Sequence, residues 1–97
     1  MTAGVLLNID LGELPDEPPA LYAFADVASI ACGGHAGDAD SMRRAVERCR
    51  AAGTKVGAHP SYPDREGFGR RPMELGGAAL REIVAEQCAR LLAISRA

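Results

Sequence analysis

Residues 5–11 read as a strand, apolar at first and alternating with polar positions from Leu7 on. Leu7, Ile9 and Leu11 fall on one face and Asn8 and Asp10 on the other, which is the two-residue period of a pleated strand. Gly12 ends the run, and Glu13 follows in the turn. Residues 14–19, Leu-Pro-Asp-Glu-Pro-Pro, are acidic and proline-rich and predict a loop. Residues 20–25 have room for one or two helical turns. Residues 27–31 form a short apolar run with two β-branched members, the pattern of a buried strand. A glycine-rich turn, Cys32-Gly33-Gly34-His35-Ala36-Gly37-Asp38, comes next.

The period then changes. Met42, Ala45, Val46, Cys49 and Ala52 recur at spacings of three and four, so a helix with one apolar face is predicted, with Asp38 as its N-cap and Asp40 in its first turn. Arg43, Arg44, Glu47, Arg48 and Arg50 make a solvated opposite face, and Gly53 supplies the stop. Residues 55–59 read as a third strand. Residues 60–77 carry prolines and glycines without a period, a length that suits a binding loop or lid. From residue 78 to the end, Leu80, Ile83, Val84, Gln87, Leu91 and Ile94 make the stripe of a last helix. Strands alternating with helices predict an α/β fold with a parallel sheet.

Composition narrows the function classes. Ninety-seven residues make one domain at most. Hydrophobic content of 47% with 25% charged residues belongs to a folded chain. Eleven Lys and Arg against thirteen Asp and Glu give a net charge of −2, so there is no basic field for nucleic acid or an anionic membrane. No apolar run approaches the roughly 18 residues of a membrane span. The first residues lack the basic start of a signal peptide, which implies a cytoplasmic protein. Cys32, Cys49 and Cys88 are odd in number and widely spaced, a pattern of buried thiols rather than a disulfide framework.

Candidate chemistry gathers at the carboxyl ends of the predicted strands, where parallel α/β folds hold their ligands. The first delivers Asn8, Asp10 and Glu13, the second His35 and Asp38, and the third His59 followed by Asp64. A carboxylate beside an imidazole can position water and move protons. Asp10, His35 and His59 could equally form a divalent metal site, and spacing alone does not separate the two. Asp38 is both a candidate site acid and the predicted helix cap. The glycine-rich turn could offer N–H groups to an anion, although Asp38 and Asp40 compete for the same helix pole. Arg70 and Arg71 could clamp a carboxylate or phosphate. No phosphate-cradling glycine motif occurs, so an ATP site is not recognisable in this chain.

Three stretches carry a family resemblance: Asn8-Ile9-Asp10-Leu11-Gly12-Glu13, then Ile30-Ala31 leading into the glycine-rich turn, then Gly57-Ala58-His59-Pro60-Ser61-Tyr62-Pro63-Asp64 with Gly67-Phe68-Gly69-Arg70-Arg71. In this order they resemble the LamB/YcsF family, that of the A component of bacterial 5-oxoprolinase. The resemblance spans nearly the whole chain but only the amino-terminal third of the family. It implies a single partial domain over residues 1–97, the first portion of a seven-stranded, deacetylase-like parallel β/α barrel that is incomplete here. It further implies a hydrolase component that opens the lactam of 5-oxoproline to L-glutamate with ATP as co-substrate and subunits B and C as partners. Nucleotide binding and a link to carbohydrate metabolism accompany that expectation.

By the motif match, Asp10, Glu13, His35, Asp38 and His59 are the candidate catalytic positions, with Asn8, Asp64 and Arg70 as candidate substrate contacts and a divalent metal as a possible cofactor. Two alternatives stand beside this reading: a truncated, inactive remnant that at most binds partner subunits, and a metal-dependent deacetylase or amidohydrolase. Ser29 and Gly34 depart from the family, which has Asn and an aromatic residue at these places. The loop between Glu13 and Tyr22 lacks the usual glycine- and tryptophan-containing stretch, and Leu75-Gly76-Gly77 replaces a Ser-capped helix start. Three strands from an open barrel leave unpaired edges, so the chain alone is expected to self-associate, to be molten, or to require another polypeptide.

Overall fold

A computed structural model describes residues 4–97 as an α/β unit. Its elements are β1 (Asn8–Leu11), α1 (Leu21–Phe24), β2 (Val27–Ala31), α2 (Ala39–Ala52), β3 (Lys55–His59) and α3 (Gly77–Arg96). The strands form one parallel sheet in the order β1-β2-β3. Among the described residues no helix is long and apolar enough to cross a membrane.

The sheet has one apolar and one polar face, set by strand alternation. Leu11, Ala28 and Ile30 turn towards the helices and are buried with Met42, Ala45, Val46 and Cys49 of α2 and Leu91 of α3. Burying a side chain the size of Leu11, Ile30 or Met42 stabilises the fold by about 1.5–3 kcal/mol each. The opposite face carries Asn8, Asp10, Ser29 and His59, and there the Ser29 hydroxyl donates to Asn8 Oδ1 at 2.9 Å. On the apolar side of β3, Val56 and Ala58 stay exposed.

β1 is shorter than the predicted strand, starting at Asn8 rather than Val5. Val5 and Leu6 are 94% and 74% exposed, with no apolar surface to pack on. Leu7 is fixed at the strand's entrance, its N–H donating to Asp26 Oδ2 and its carbonyl accepting from Asp26 and Val27, yet its side chain is also exposed. α1 is a single turn that buries Tyr22. Thr54 Oγ1 donates to the Tyr22 carbonyl and ties this turn to the entrance of β3.

α2 has the expected termini. The Asp38 carboxylate accepts from Ser41 N–H while Ser41 Oγ accepts from Asp38 N–H, a reciprocal cap. Gly53 ends it in the left-handed conformation, φ 75°. Ala52, placed on the apolar stripe by its spacing, is exposed. Arg50 leaves the solvated face and donates to the Ser95 and Ala97 carbonyls, closing the carboxyl end of α3. α3 starts at Gly77, one residue before the predicted start, with Gly76 as a cap that makes no side-chain bond. Gln87 and Leu91 carry its buried contacts, Ile94 is partly buried against the core, and Val84 is exposed. The cysteines are free thiols; burial pushes the Cys32 and Cys49 thiols upward.

Candidate functional site

Asp10, Glu13, His35 and His59 come from the ends of three adjacent strands and line one cleft of about 230 Å³ together with Ser61, Phe68, Gly69 and Arg70. Each is placed by local chemistry. Glu13 sits in the turn after β1, and that turn is held by Glu17, whose carboxylate accepts from the N–H groups of Gly12, Glu13 and Leu14. The acidic, proline-rich loop is therefore the anchor of the first site residue.

His35 lies in the glycine-rich turn after β2 and is buried, 4% exposed. Both of its ring nitrogens are engaged: Nε2 is 2.7 Å from Glu13 Oε2, and Nδ1 is 2.7 Å from Ser61 Oγ. The Phe68 ring meets it edge-on, with centroids 4.9 Å apart. Phe68 is the one non-glycine residue with left-handed backbone among those described, φ 56°, a strained conformation held where it shields an imidazole. Gly69 allows this approach, since a Cβ there would stand 2.8 Å from His35 Cβ.

His59 ends β3, its ring tilted against His35 at a centroid distance of 4.6 Å. Its Nδ1 is 3.4 Å from Glu13 Oε2 and 3.8 Å from Asp10 Oδ1. That nitrogen is buried and has no hydrogen-bond partner. Asp10 stands at the mouth with its side chain 57% exposed, and Arg70 lies on the rim with its guanidinium 5.9 Å from the Phe68 ring centroid.

The remaining candidates lie elsewhere. Asp38 is outside this cleft, with its carboxylate engaged in capping α2; the Ser41 N–H bond holds it below the usual carboxylate range. Asp64 is buried, paired with Arg71 and accepting from the N–H groups of Gly67 and Arg71. The Arg71 guanidinium beside it lowers its carboxyl to about 2. Of the two predicted clamp arginines, Arg71 thus fastens the loop and Arg70 faces the cleft. Asn8 lies at the start of β1, away from the cleft, bonded to Ser29. The glycine-rich turn presents the carbonyls of Gly33 and Gly37 to Arg65 rather than N–H groups to an anion.

Two residues that chain position did not single out support the site. Gln87, on the apolar stripe of α3, accepts from Ser61 N–H at 3.1 Å and donates to the Ser61 carbonyl at 2.8 Å, and so fixes the residue that meets His35. Gly34 makes this possible: a Cβ there would stand 2.6 Å from Ser61 Oγ and 2.7 Å from Gln87 Nε2. The space beside Gly34 is filled by the Ser61–Gln87 pair. A polar residue interrupting an apolar helical stripe was the visible signal for Gln87; for Ser61 there was none beyond its place in the motif.

The LamB/YcsF family model matches residues 5–97. The chain is 48% identical over 97 residues to the A component of the 5-oxoprolinase of Chloroflexus aggregans, covering 94% of this chain and 38% of that protein. It is 47% identical over 96 residues to the corresponding 5-oxoprolinase component of Azoarcus sp., with 94% and 38% covered. The chain therefore spans 38% of the length of these curated relatives. Its fold superimposes on the crystal structure of a lactam utilization protein from Thermus thermophilus with a TM-score of 0.92 and 34% identity, over 97% of this chain and 40% of that one. The α/β fold with parallel strands agrees with the sequence reading, and with the three motifs in order and a match over almost its whole length, the chain belongs to the LamB/YcsF family.

Proposed function

We propose that this chain carries the water-positioning part of a lactam hydrolase, the A component of a 5-oxoprolinase that opens 5-oxoproline to L-glutamate with ATP as co-substrate of a complex with subunits B and C. The observation that carries this reading is the convergence of Asp10, Glu13, His35 and His59 on one cleft with Arg70 at its rim. The relatives' names and the likeness to a lactam utilization protein support it. On the same reading, residues 1–97 are a partial domain, the opening portion of a seven-stranded β/α barrel working in the cytoplasm. The polar face of the sheet, with Asn8, Asp10, Ser29 and His59, would line the interior of that barrel.

In the mechanism, Arg70 takes the substrate carboxylate as a charge-assisted pair. Asp10 and His59 hold the attacking water at the mouth, and its proton passes to Asp10. The water oxygen bonds to the lactam carbonyl carbon, the ring C–N bond breaks, and the base returns the proton it took from water to the leaving nitrogen, which becomes the amine of glutamate. His35, fixed between Glu13 and Ser61, holds the Glu13 carboxylate beside His59. ATP hydrolysis in the complex supplies the driving force.

The test is ATP-dependent glutamate formation by the protein assembled with its B and C partners. Asp10→Ala and His59→Ala should each lower turnover by about 100-fold or more, the range of a lost general base. Unchanged turnover in both variants would sink the assignment. A second reading, a fragment that binds partner subunits without turnover, is favoured by the uncovered apolar side of β3 at Val56 and Ala58. Stable association with B and C but no glutamate from the unmodified protein would establish it instead.

A further inference from the structure

We infer that Glu13, His35 and His59 form a three-ligand site for a divalent transition-metal ion of the zinc class. Their ligand atoms, Glu13 Oε2, His35 Nε2 and His59 Nδ1, all lie within 4.8 Å of one another. Zinc bonds of about 2.0–2.2 Å place neighbouring donors of a tetrahedral site roughly 3.3 Å apart. The separations from Glu13 Oε2, 2.7 Å to His35 and 3.4 Å to His59, bracket that spacing.

Three features point to a cation at this spot rather than to a plain hydrogen-bonded cluster. His59 Nδ1 is buried and unpartnered although it faces the carboxylate, so its lone pair is available to a ligand. His35 Nδ1 is met by Ser61 Oγ at 2.7 Å, so the Nδ1–H tautomer has an acceptor in place and leaves Nε2, 2.7 Å from Glu13 Oε2, free to ligate a cation shared with that carboxylate. Ser61 is in turn fixed by Gln87, the kind of outer support that orients metal-bound imidazoles. Two imidazoles and one carboxylate are a donor set of catalytic zinc sites, which keep a fourth position open. All three residues line the cleft that Asp10 and Arg70 also line.

The inference rests on the proposed function for what the ion would do there, activating the water that attacks the lactam, but not for binding itself. The experiment is zinc titration by calorimetry of the chelator-stripped chain assembled with its B and C partners, with B and C alone as the blank and cobalt substitution read by its visible spectrum. One zinc per chain and a cobalt spectrum of low coordination number are expected. Glu13→Gln and His59→Asn, checked for retained fold by circular dichroism, should weaken uptake about 100-fold, whereas Asp16→Asn, an exposed loop acid, should leave it unchanged. Failure of the unmodified chain to take up zinc stoichiometrically, or equal uptake by the two ligand variants, overturns the site. Lactam opening that survives chelation in the B and C complex overturns the metal but keeps the proposed function. Zinc bound with no lactam opening does the reverse.

Discussion

Gln87 offers the most direct test of how the site is held. It is 5% exposed, and its amide makes two hydrogen bonds to the backbone of Ser61. Each such bond contributes about 0.5–1.5 kcal/mol net, so Gln87→Ala should destabilise the fold by about 2 kcal/mol. At about 0.05–0.15 kcal/mol per residue, a 97-residue chain is stable by only about 5–15 kcal/mol. A loss of this size should lower the thermal midpoint by about 8–16 °C. Gly34→Ala places a Cβ within 3 Å of Ser61 Oγ and of both Gln87 amide atoms, an overpacking cost of about 1–3 kcal/mol. The two perturbations share partners and must couple. With the Gln87 amide gone, two of the three close approaches vanish, and the double variant should be less destabilised than the sum of the singles by about 1 kcal/mol. The assay is thermal unfolding by circular dichroism at one fixed protein concentration, which holds any association constant. Additive effects within about 0.5 kcal/mol would refute the shared cluster, and a Gln87→Ala midpoint within a degree of the parent would refute the clamp.

Two further outcomes follow from the same structure. Asp64 is lowered to about 2 by Arg71, from an ordinary value of 3.8, so it adds stability that is complete above pH 4 and is lost as pH falls from 4 towards 2. Asp64→Asn should flatten the midpoint-against-pH curve in that window, and an unchanged slope would remove the pairing from the account. Val5, Leu6 and Phe24 are 94%, 74% and 70% exposed, and the outer strands β1 and β3 have unpaired edges among the described residues. The 97-residue chain alone should therefore show a midpoint that rises with concentration, and a sharp, concentration-independent melt of a monomer would contradict this.

Much of this protein is written in short-range pattern. The three strands and the two long helices follow from the change between two-residue and three-to-four-residue periods. The ends of α2 follow from Asp38 and Gly53, because capping is a matter of one or two turns of backbone. Asp10, Glu13, His35 and His59 could be named because parallel strands deliver their polar residues to the same end of the sheet. What lay beyond the sequence was every choice made between segments distant along the chain. Spacing cannot tell that Glu13, and not Asp10, is the carboxylate nearest both imidazoles, since this depends on Glu17 folding the turn after β1. Nor does it separate Asp38, which serves its helix, from Glu13, which serves the cleft. Asp64 and Arg71 bind the loop to itself, Arg70 is left facing the cleft, and Gln87 reaches Ser61 from a helix 26 residues further along the chain. Local pattern fixes elements because backbone hydrogen bonding and side-chain periodicity act over a few residues. Partners for a buried carboxylate, imidazole or amide are set by packing in three dimensions, where the cost of leaving any of them unpaired decides which groups meet.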